Sequence, residues 1–499
     1  MTDATTDTSY RWLFWLLLIP AVGFTVYQCV DLYPWILDDA FISFRYAENL
    51  AAGNGPVFNA GEYVEGYTTF LWVVLLAIGK LLGANLIFFS RLLGSLFAAG
   101  TLAWLSLSYR RSQLIEMPTA LIAVLFVGTC GAFAPWAISG MEVTLFTMLV
   151  TGAVLLHLRD TAAEQRNRRA AIVGLVCAIA ALTRPEGLML FGVIWLDQLL
   201  RSVKDKDKGA LYMLGAFLLL YAPYFIWRFS YYGYLLPNTF YAKVGSTSAQ
   251  LMRGFDYVSR FYQLVQPLLI VALLPLFWPA WWRRYSRLRV VPSLALAFVA
   301  YSILVGGDCM PAFRFLTPVI PLFALLAALN LRLIRWRWVS WVLICLITAF
   351  SIFQARSNSD AYDSVKKDLI AWRGKEVGLW LRYNVAADAV VATNTAGSVP
   401  YFSGLSAIDM LGMNDEHIAH CEMPNMGAGF VGHEKGDGAY VLSRRPDVII
   451  FGSAEGWREP TFPSGLELYD LHKFHELYEF RSVRLPSGGY LKFYQLRAI

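Results

Sequence analysis

The chain has 499 residues, of which 57% are apolar or aromatic, 15% aromatic and only 16% charged, with a formal net charge of +6. Soluble domains carry about 25% charged residues, so a mean hydropathy of +0.48 excludes a soluble enzyme, a disordered chain and a disulfide-stapled secreted module. What is left is a mainly α-helical polytopic membrane protein. Ten polar residues without a basic cluster precede the first apolar run, Trp12–Val30. No small-residue cleavage site follows that run, so it reads as a retained anchor rather than a removed signal peptide. A membrane helix needs about 20 apolar residues. Further runs that meet or approach this are Leu92–Tyr109, Met117–Met141, Val143–Leu156, Ala210–Trp227, Gln263–Trp282, Val290–Gly307, Phe315–Leu331 and Trp338–Ala355. Ala170–Thr183 and Leu188–Leu196 are short and span only if flanking residues snorkel. Phe70–Leu82, interrupted by Gly79 and Lys80, reads as an interfacial helix.

Counting eleven spans sorts the connections into two chemical classes. Arg110–Arg111, Arg159 to Arg169, Arg201 to Lys208, Arg283 to Arg289 and Arg332 to Arg337 are basic. The alternate connections, Asp31 to Arg91, Ser139 to Glu142, Arg184 to Gly187, Ser230 to Arg260 and Gly306 to Arg314, are rich in acids, Gly and Pro. Lys and Arg concentrate on the cytoplasmic side, which puts the second class, and everything after Ala355, on the outer side. Residues 1–355 are then a transmembrane catalytic domain with its first outer loop at 31–91, and residues 356–499 an outward-facing α/β domain. In the latter, Ala389–Thr393, Val448–Phe451 and Tyr490–Leu496 read as strands. The six cysteines, Cys29, Cys130, Cys177, Cys309, Cys345 and Cys421, have no metal-type spacing.

The candidate chemistry lies in the outer connections. Asp38 and Asp39 follow the first span and precede a predicted helix Ala40–Leu50. An Asp caps a helix well, which accounts for one acid and not for two. Burial and a like-charged neighbour raise a carboxylate's pKa toward that of a general base, and this pair offers both. Arg45 stands one turn along, and Glu65, Tyr67 and Thr68 lie in the Gly- and Asn-rich loop beyond. Glu142, Arg184, Glu186, Asp308 and Arg314 sit at the edges of spans, where charges are costly and mark function or pairing. Arginine suits a phosphate, so Arg184 and Arg314 are the first candidates to bind one, and Lys243 the third. In the tail, Gly432-His433-Glu434-Lys435-Gly436 reads as a loop that returns to the membrane site, with His433 and Lys435 contacting substrate. His417 and His420 are the candidates for a metal; a divalent cation is compatible with the sequence but is not indicated by ligand spacing, and nothing points to nucleic acid.

In this order, Asp38-Asp39, Val64-Glu65-Gly66-Tyr67-Thr68, Ser139-Gly140-Met141-Glu142, Arg184-Pro185-Glu186-Gly187, Gly306-Gly307-Asp308 with Arg314-Phe315, and Gly432-His433-Glu434-Lys435 resemble the membrane glycosyltransferases of the GT-C class. Within that class the likeness is to the mycobacterial terminal arabinofuranosyltransferase and its bacterial relatives. The resemblance implies a sugar carried on a polyprenyl phosphate (a decaprenylphosphoryl-arabinose-like donor), transfer on the outer face of the plasma membrane, and an Asp of the pair as the base. The acceptor stays open among a cell-wall polysaccharide, a lipopolysaccharide and a surface protein such as a pilin. So does the stereochemistry, since a single displacement inverts while a second step through one Asp retains. Two rival classes are a secondary transporter and a membrane anchor for the tail. Transporters show internal symmetry, which this sequence lacks, and eleven spans are excessive for an anchor.

Overall fold

The computed structural model describes residues 11–110, 115–159, 165–245, 247–423 and 426–497. Arg111 of the predicted basic pair and residues 160–164 of the predicted basic connection lie outside the described residues, as do the first ten. The chain opens with α1 (Arg11–Asp31), α2 (Asp38–Ala51), α3 (Phe70–Leu81) and α4 (Leu86–Leu107). Next come α5 (Met117–Thr129), the single turn α6 (Pro135–Ile138), α7 (Val143–Leu158), α8 (Arg166–Thr183) and α9 (Glu186–Asp205). They are followed by α10 (Gly209–Tyr232), α11 (Asn238–Lys243), α12 (Ser248–Leu273), α13 (Pro279–Arg284), α14 (Val290–Leu304), α15 (Ile320–Leu331) and α16 (Arg337–Ser357). Each of the eleven predicted runs is occupied by a helix. Among the described residues, six of these (α1, α4, α10, α12, α14 and α16) are long and apolar enough to cross a membrane. The twelve-residue α3 is about 18 Å long at 1.5 Å per residue, too short to span.

The short apolar helices stand in the centre. α5 and α15 are buried along nearly their whole length, whereas α1, α10 and α16 turn large apolar side chains such as Leu219 and Phe353 outward. The central helices are short because their chains break into irregular backbone, which is tolerated at membrane depth only inside protein or beside a cavity. The expected span Met117–Met141 is therefore corrected: its helix stops at Thr129, and the chain turns through Cys130–Ser139 under the start of α2. There the Leu37 amide donates to the Ser139 carbonyl at 3.1 Å and the Trp72 indole to the Gly140 carbonyl at 3.1 Å. Gly140 has φ +85°, and a Cβ there would lie 2.8 Å from that of Ala40, so this turn requires glycine. The expected span Gln263–Trp282 is also shifted. α12 begins at Ser248, inside the predicted loop, because Arg253 and Arg260 find partners in Glu434 and Asp360 and the helix can continue beyond the apolar layer.

After α16 come α17 (Ser364–Lys367), α18 (Ile370–Asn384), β1 (Val390–Thr393), α19 (Ser398–Ser403), β2 (Ser406–Asp409), α20 (Glu416–His420), α21 (Gly438–Ser443), β3 (Val448–Ile450), α22 (Pro463–Asp470), α23 (His472–Leu477), β4 (Tyr478–Arg484) and β5 (Tyr490–Leu496). The sheet order is β2-β1-β3-β5-β4. β1 is parallel to both β2 and β3, with Val391 opposite Ala407 and Val448; β5 is antiparallel to β3 and β4. β2 and β4 are absent from the sequence reading. This domain shares one apolar core with the helices: Phe41, Trp72 and Trp136 pack in the same cluster as Val377, Val399 and Leu405. The connection 31–69 bonds the sheet domain directly, through Asp38 to Ser398, Arg45 to Leu405 and Asn59 to Ala407, and Met141, Arg184, Glu186, Asp308 and Arg314 line a cavity together with its Met413 and Val431. At the opposite end of the bundle the basic connections around 201–208 and 283–289 meet, where Arg201 donates to the Arg287 carbonyl and Arg289 pairs with Asp197.

Candidate active site

Leu37, not an aspartate, occupies the N-cap position of α2, in extended conformation and with no side-chain cap. Asp38 and Asp39 are the first two residues of the helix itself, so the capping reading is corrected. One helical step of about 100° sends their carboxylates in different directions. Asp38 points at the start of α19: Oδ1 accepts the Ser398 amide at 2.9 Å and the Ser398 hydroxyl, and Oδ2 accepts the Gly397 amide at 3.1 Å. A Cβ on Gly397 would lie 2.0 Å from the Asp38 carbonyl oxygen, so only glycine permits this approach. Burial pushes the Asp38 carboxyl up to about 6, against the pull of those hydrogen bonds. Asp39 has no hydrogen bond or ion pair among the described residues. It lines two cavities at once.

The first cavity, about 290 Å³, opens from Asp39 toward the membrane helices and is walled by Tyr67, Thr68, Phe240, Tyr301 and Phe315. Its charged groups are Arg184, Glu186, Lys243, Asp308 and Arg314. Arg184 is clamped between two carboxylates, Nη1 to Glu142 at 2.5 Å and Nη2 to Glu186 at 2.6 Å, all three buried. Arg314 Nε lies 2.7 Å from Asp308. The ring of Phe315 sits beneath both guanidinium groups, 5.5 and 5.3 Å away. Lys243, at the end of α11, has no ion pair or hydrogen bond among the described residues, and a Cβ on Gly432 would come within 3.1 Å of its Cε. The sequence-based ranking of cations is thus reversed in geometry: the third candidate is the uncompensated charge, and the first is neutralised twice over.

The second cavity, about 320 Å³, lies on the other side of Asp39. His433 lines it, with Nδ1 3.0 Å from the Val431 carbonyl, and burial lowers its pKa. The tail loop does return to the membrane part, fastened by Glu434, which accepts from Arg253 at 2.9 Å and from the Gly427 and Gly429 amides. Lys435 lines neither cavity and donates to the Cys421 carbonyl. Arg45 is likewise no substrate contact here. Its donors reach the carbonyls of Phe58, Pro400 and Leu405 and the side chain of Asn59, which ties the first loop to the sheet domain. Glu65 pairs with Arg228 in the interior, and burial pushes its carboxyl up to about 7. The Tyr67 hydroxyl meets that of Tyr232 at 3.1 Å. Of the predicted metal pair, His420 lies against the rings of Tyr234 and Tyr241, and His417 bonds Asp437 at 2.8 Å. His417, Cys421 and Asp437 are close enough to share an ion, but they line neither cavity. Sequence reasoning missed Tyr301, Met413 and the second cavity's wall, among them Asn394, Thr395, Ser453 and Trp457.

Residues 364–494 match a family described as a domain of unknown function, DUF8728. Among curated proteins, the terminal beta-(1->2)-arabinofuranosyltransferase of Mycobacterium tuberculosis is 31% identical over 333 residues, 59% of this chain and 52% of that protein. The protein of the same name from Corynebacterium glutamicum is 28% identical over 358 residues, 64% of this chain and 51% of that protein. The chain thus spans about half the length of the curated relatives it matches. Among solved structures, ArnT from Cupriavidus metallidurans bound to undecaprenyl phosphate superposes with a TM-score of 0.54 at 14% identity, covering 80% of this chain and 86% of that one. The oligosaccharyltransferase of Archaeoglobus fulgidus in the apo form gives 0.50 at 11% identity, covering 80% and 64%. The chain thus shares the fold of these two structures, and its C-terminal part carries the five-stranded sheet.

Proposed function

We propose that this chain is a membrane glycosyltransferase that moves a sugar, arabinofuranose by its likeness to the curated relatives, from a polyprenyl-phosphate carrier to an acceptor hydroxyl on the outer face of the plasma membrane. The observation that carries this is Asp39, an unpartnered carboxylate at the junction of two cavities, one of them rimmed by cations. The donor sits in the first cavity with its phosphate at Lys243, beside the paired Arg314. Its prenyl chain runs out along the apolar helices. The acceptor hydroxyl enters from the second cavity. As its oxygen bonds to the anomeric carbon, its proton passes to Asp39, and the bond between that carbon and the phosphate oxygen breaks, the electron pair leaving with the polyprenyl phosphate. General-base action contributes about 10²–10⁴-fold, and holding the two substrates on either side of one carboxylate supplies the orientation. Lys243 stabilises the departing phosphate where water is scarce. The Glu142–Arg184–Glu186 triad and the Asp308–Arg314 pair form the rigid wall against which the donor rests. A transporter reading gains nothing from this geometry, since these charges gather at one end of the bundle.

The test is transfer of radiolabelled arabinose from purified polyprenyl-phosphoryl arabinose by the full chain in nanodiscs. Activity that survives unchanged in Asp39→Asn would remove the base from this scheme.

A further inference from the structure

We infer that the crevice at the carboxyl ends of β2, β1 and β3 is a binding site for the end of a neutral saccharide, the acceptor of the transfer, held by Asn394 and Trp457. The inference rests on the reading of Asp39 as the base, and it begins with topology. β1 lies between two parallel neighbours, so the chain leaves it on one side to form β2 and later returns on the other side to form β3. Where successive connections diverge in this way, a crevice opens beyond the carboxyl ends of the strands, and open α/β sheets bind ligands there. In this chain the residues after β1 (Asn394, Thr395), after β2 (Leu411) and after β3 (Gly452, Ser453) all line the second cavity. Asp39 forms part of the facing wall.

Asn394 supplies an independent sign of a ligand. It is only 7% exposed, and its Oδ1 accepts the Gly452 amide at 2.9 Å, which fixes the orientation of the amide group. Its Nδ2 is then buried with no partner. Buried donors are nearly always satisfied, and Asn394 lines a cavity of about 320 Å³. A hydroxyl or ring oxygen completes it. Trp457 supplies the other half of the recognition. It is 40% exposed, its amide bonds the Phe451 carbonyl at 2.9 Å, and a Cβ on Gly452 would collide with its ring at 2.1 Å. Phe462 lies beside it, with ring centroids 6.3 Å apart, and Phe430, 59% exposed, stands at the mouth. Aromatic faces beside a few fixed polar groups are what a partly apolar, partly hydroxylated ligand requires.

Charge narrows the class. The carboxyl groups on the cavity wall are Asp38, Asp39 and Asp368, the imidazole of His433 is the basic side chain there, and among the described residues no Lys or Arg lines it. A ligand bearing carboxylate or phosphate would meet three acidic side chains and no Lys or Arg, which discriminates against it. The site therefore fits a neutral glycan end and not an acidic one.

The experiment uses the full chain in nanodiscs with polyprenyl-phosphoryl arabinose and three acceptor probes. These are a neutral arabino-oligosaccharide, a uronic-acid oligosaccharide of equal length, and a peptide containing serine and threonine. The neutral probe is expected to have the highest kcat/KM. Trp457→Ala should raise its KM about tenfold or more while donor affinity stays unchanged, and Trp457→Phe, which keeps a ring face, should recover most of that loss. Asn394→Asp keeps the acceptor for the Gly452 amide but removes the donor, so it should raise KM without loosening the loop. An unchanged KM in both Trp457→Ala and Asn394→Asp overturns the site while leaving the transferase reading intact. Preferred transfer to the acidic probe or to the peptide overturns the acceptor class. A wild-type chain that transfers to none of the three counts against the transferase reading itself.

Discussion

Asp38 and Asp39 are chemically identical neighbours, yet Asp38 is occupied by two backbone amides and a hydroxyl while Asp39 faces open space. Asparagine at either position nearly preserves shape. Asp39→Asn should fold, bind donor and lose on the order of 10²-fold or more in turnover. Asp38→Asn should lose much less, because its effect is confined to how well α19 is held. Equal losses in the two variants, measured as single turnovers with bound donor, would mean that both carboxylates enter the chemistry. The cations separate in the same way. Lys243→Ala should weaken donor binding by about tenfold to a hundredfold, as for one charge-assisted contact, with the melting temperature unchanged. Arg184→Ala leaves Glu142 and Glu186 buried without their partner, a situation that costs about 3–5 kcal/mol. It should therefore register first as a loss of thermal stability. An Arg184→Ala variant that melts like the wild type but fails to bind donor would return the phosphate to that guanidinium.

At the scale of elements, the start of α2 is a joint between the membrane helices and the sheet domain, and it titrates. The Asp38 carboxyl is pushed up to about 6 from 3.8, chiefly by burial. The docked state therefore holds the proton more tightly than the undocked state. Docking is strongest below the ordinary value, weakens as pH rises through about 6, and is level above that. Hydrogen exchange at the Gly397 and Ser398 amides, corrected for intrinsic rates, should show protection falling between pH 4 and pH 7, and Asp38→Asn should abolish the trend. The elements themselves were largely legible: uncharged runs locate eleven helices, six of them long enough to cross a membrane, and the Asp pair before an amphipathic stretch locates α2. The end of α5 at Thr129 was not, because the run stays apolar to Met141 and the break is imposed by packing beneath α2. β4 escaped because the alternation Tyr478-Glu479-Phe480-Arg481 breaks at Ser482 and the strand buries only its first residue. The pairing of Arg184 was partly visible, since Glu186 is two residues away, but Glu142 comes from another helix. Asn394 and Trp457 carry no local signal at all. They meet only because β1 and β3 are neighbours in the sheet.

For the molecule as a whole, the basic connections and the sheet domain stand at opposite ends of the helices, so topology is testable with single cysteines in a cysteine-free background. Gly436 is a poor position for a label, because Pro463 and Ser464 press against it. Lys473, exposed on α23, is a better one. An impermeant thiol reagent added outside intact cells should modify Lys473→Cys and spare Lys204→Cys, and the reverse pattern would place the proposed site on the wrong side of the membrane. The joint between the two parts also sets an order in time. Asp38 is held by groups 359 and 360 positions later in the chain, and Arg45 by carbonyls 355 and 360 positions later. During synthesis the first loop thus leaves the ribosome long before the residues that fix it have been translated. A nascent chain that has inserted its helices already carries Arg184, Lys243 and Arg314 of the first cavity, while Met413 and Val431 of its wall and the groups that hold Asp38 are still to come. Chains released after Ser357 should bind donor and fail to turn over. Turnover is expected to begin only once the segment that carries Gly397, Ser398, Pro400 and Leu405 has been made and has folded against the first loop.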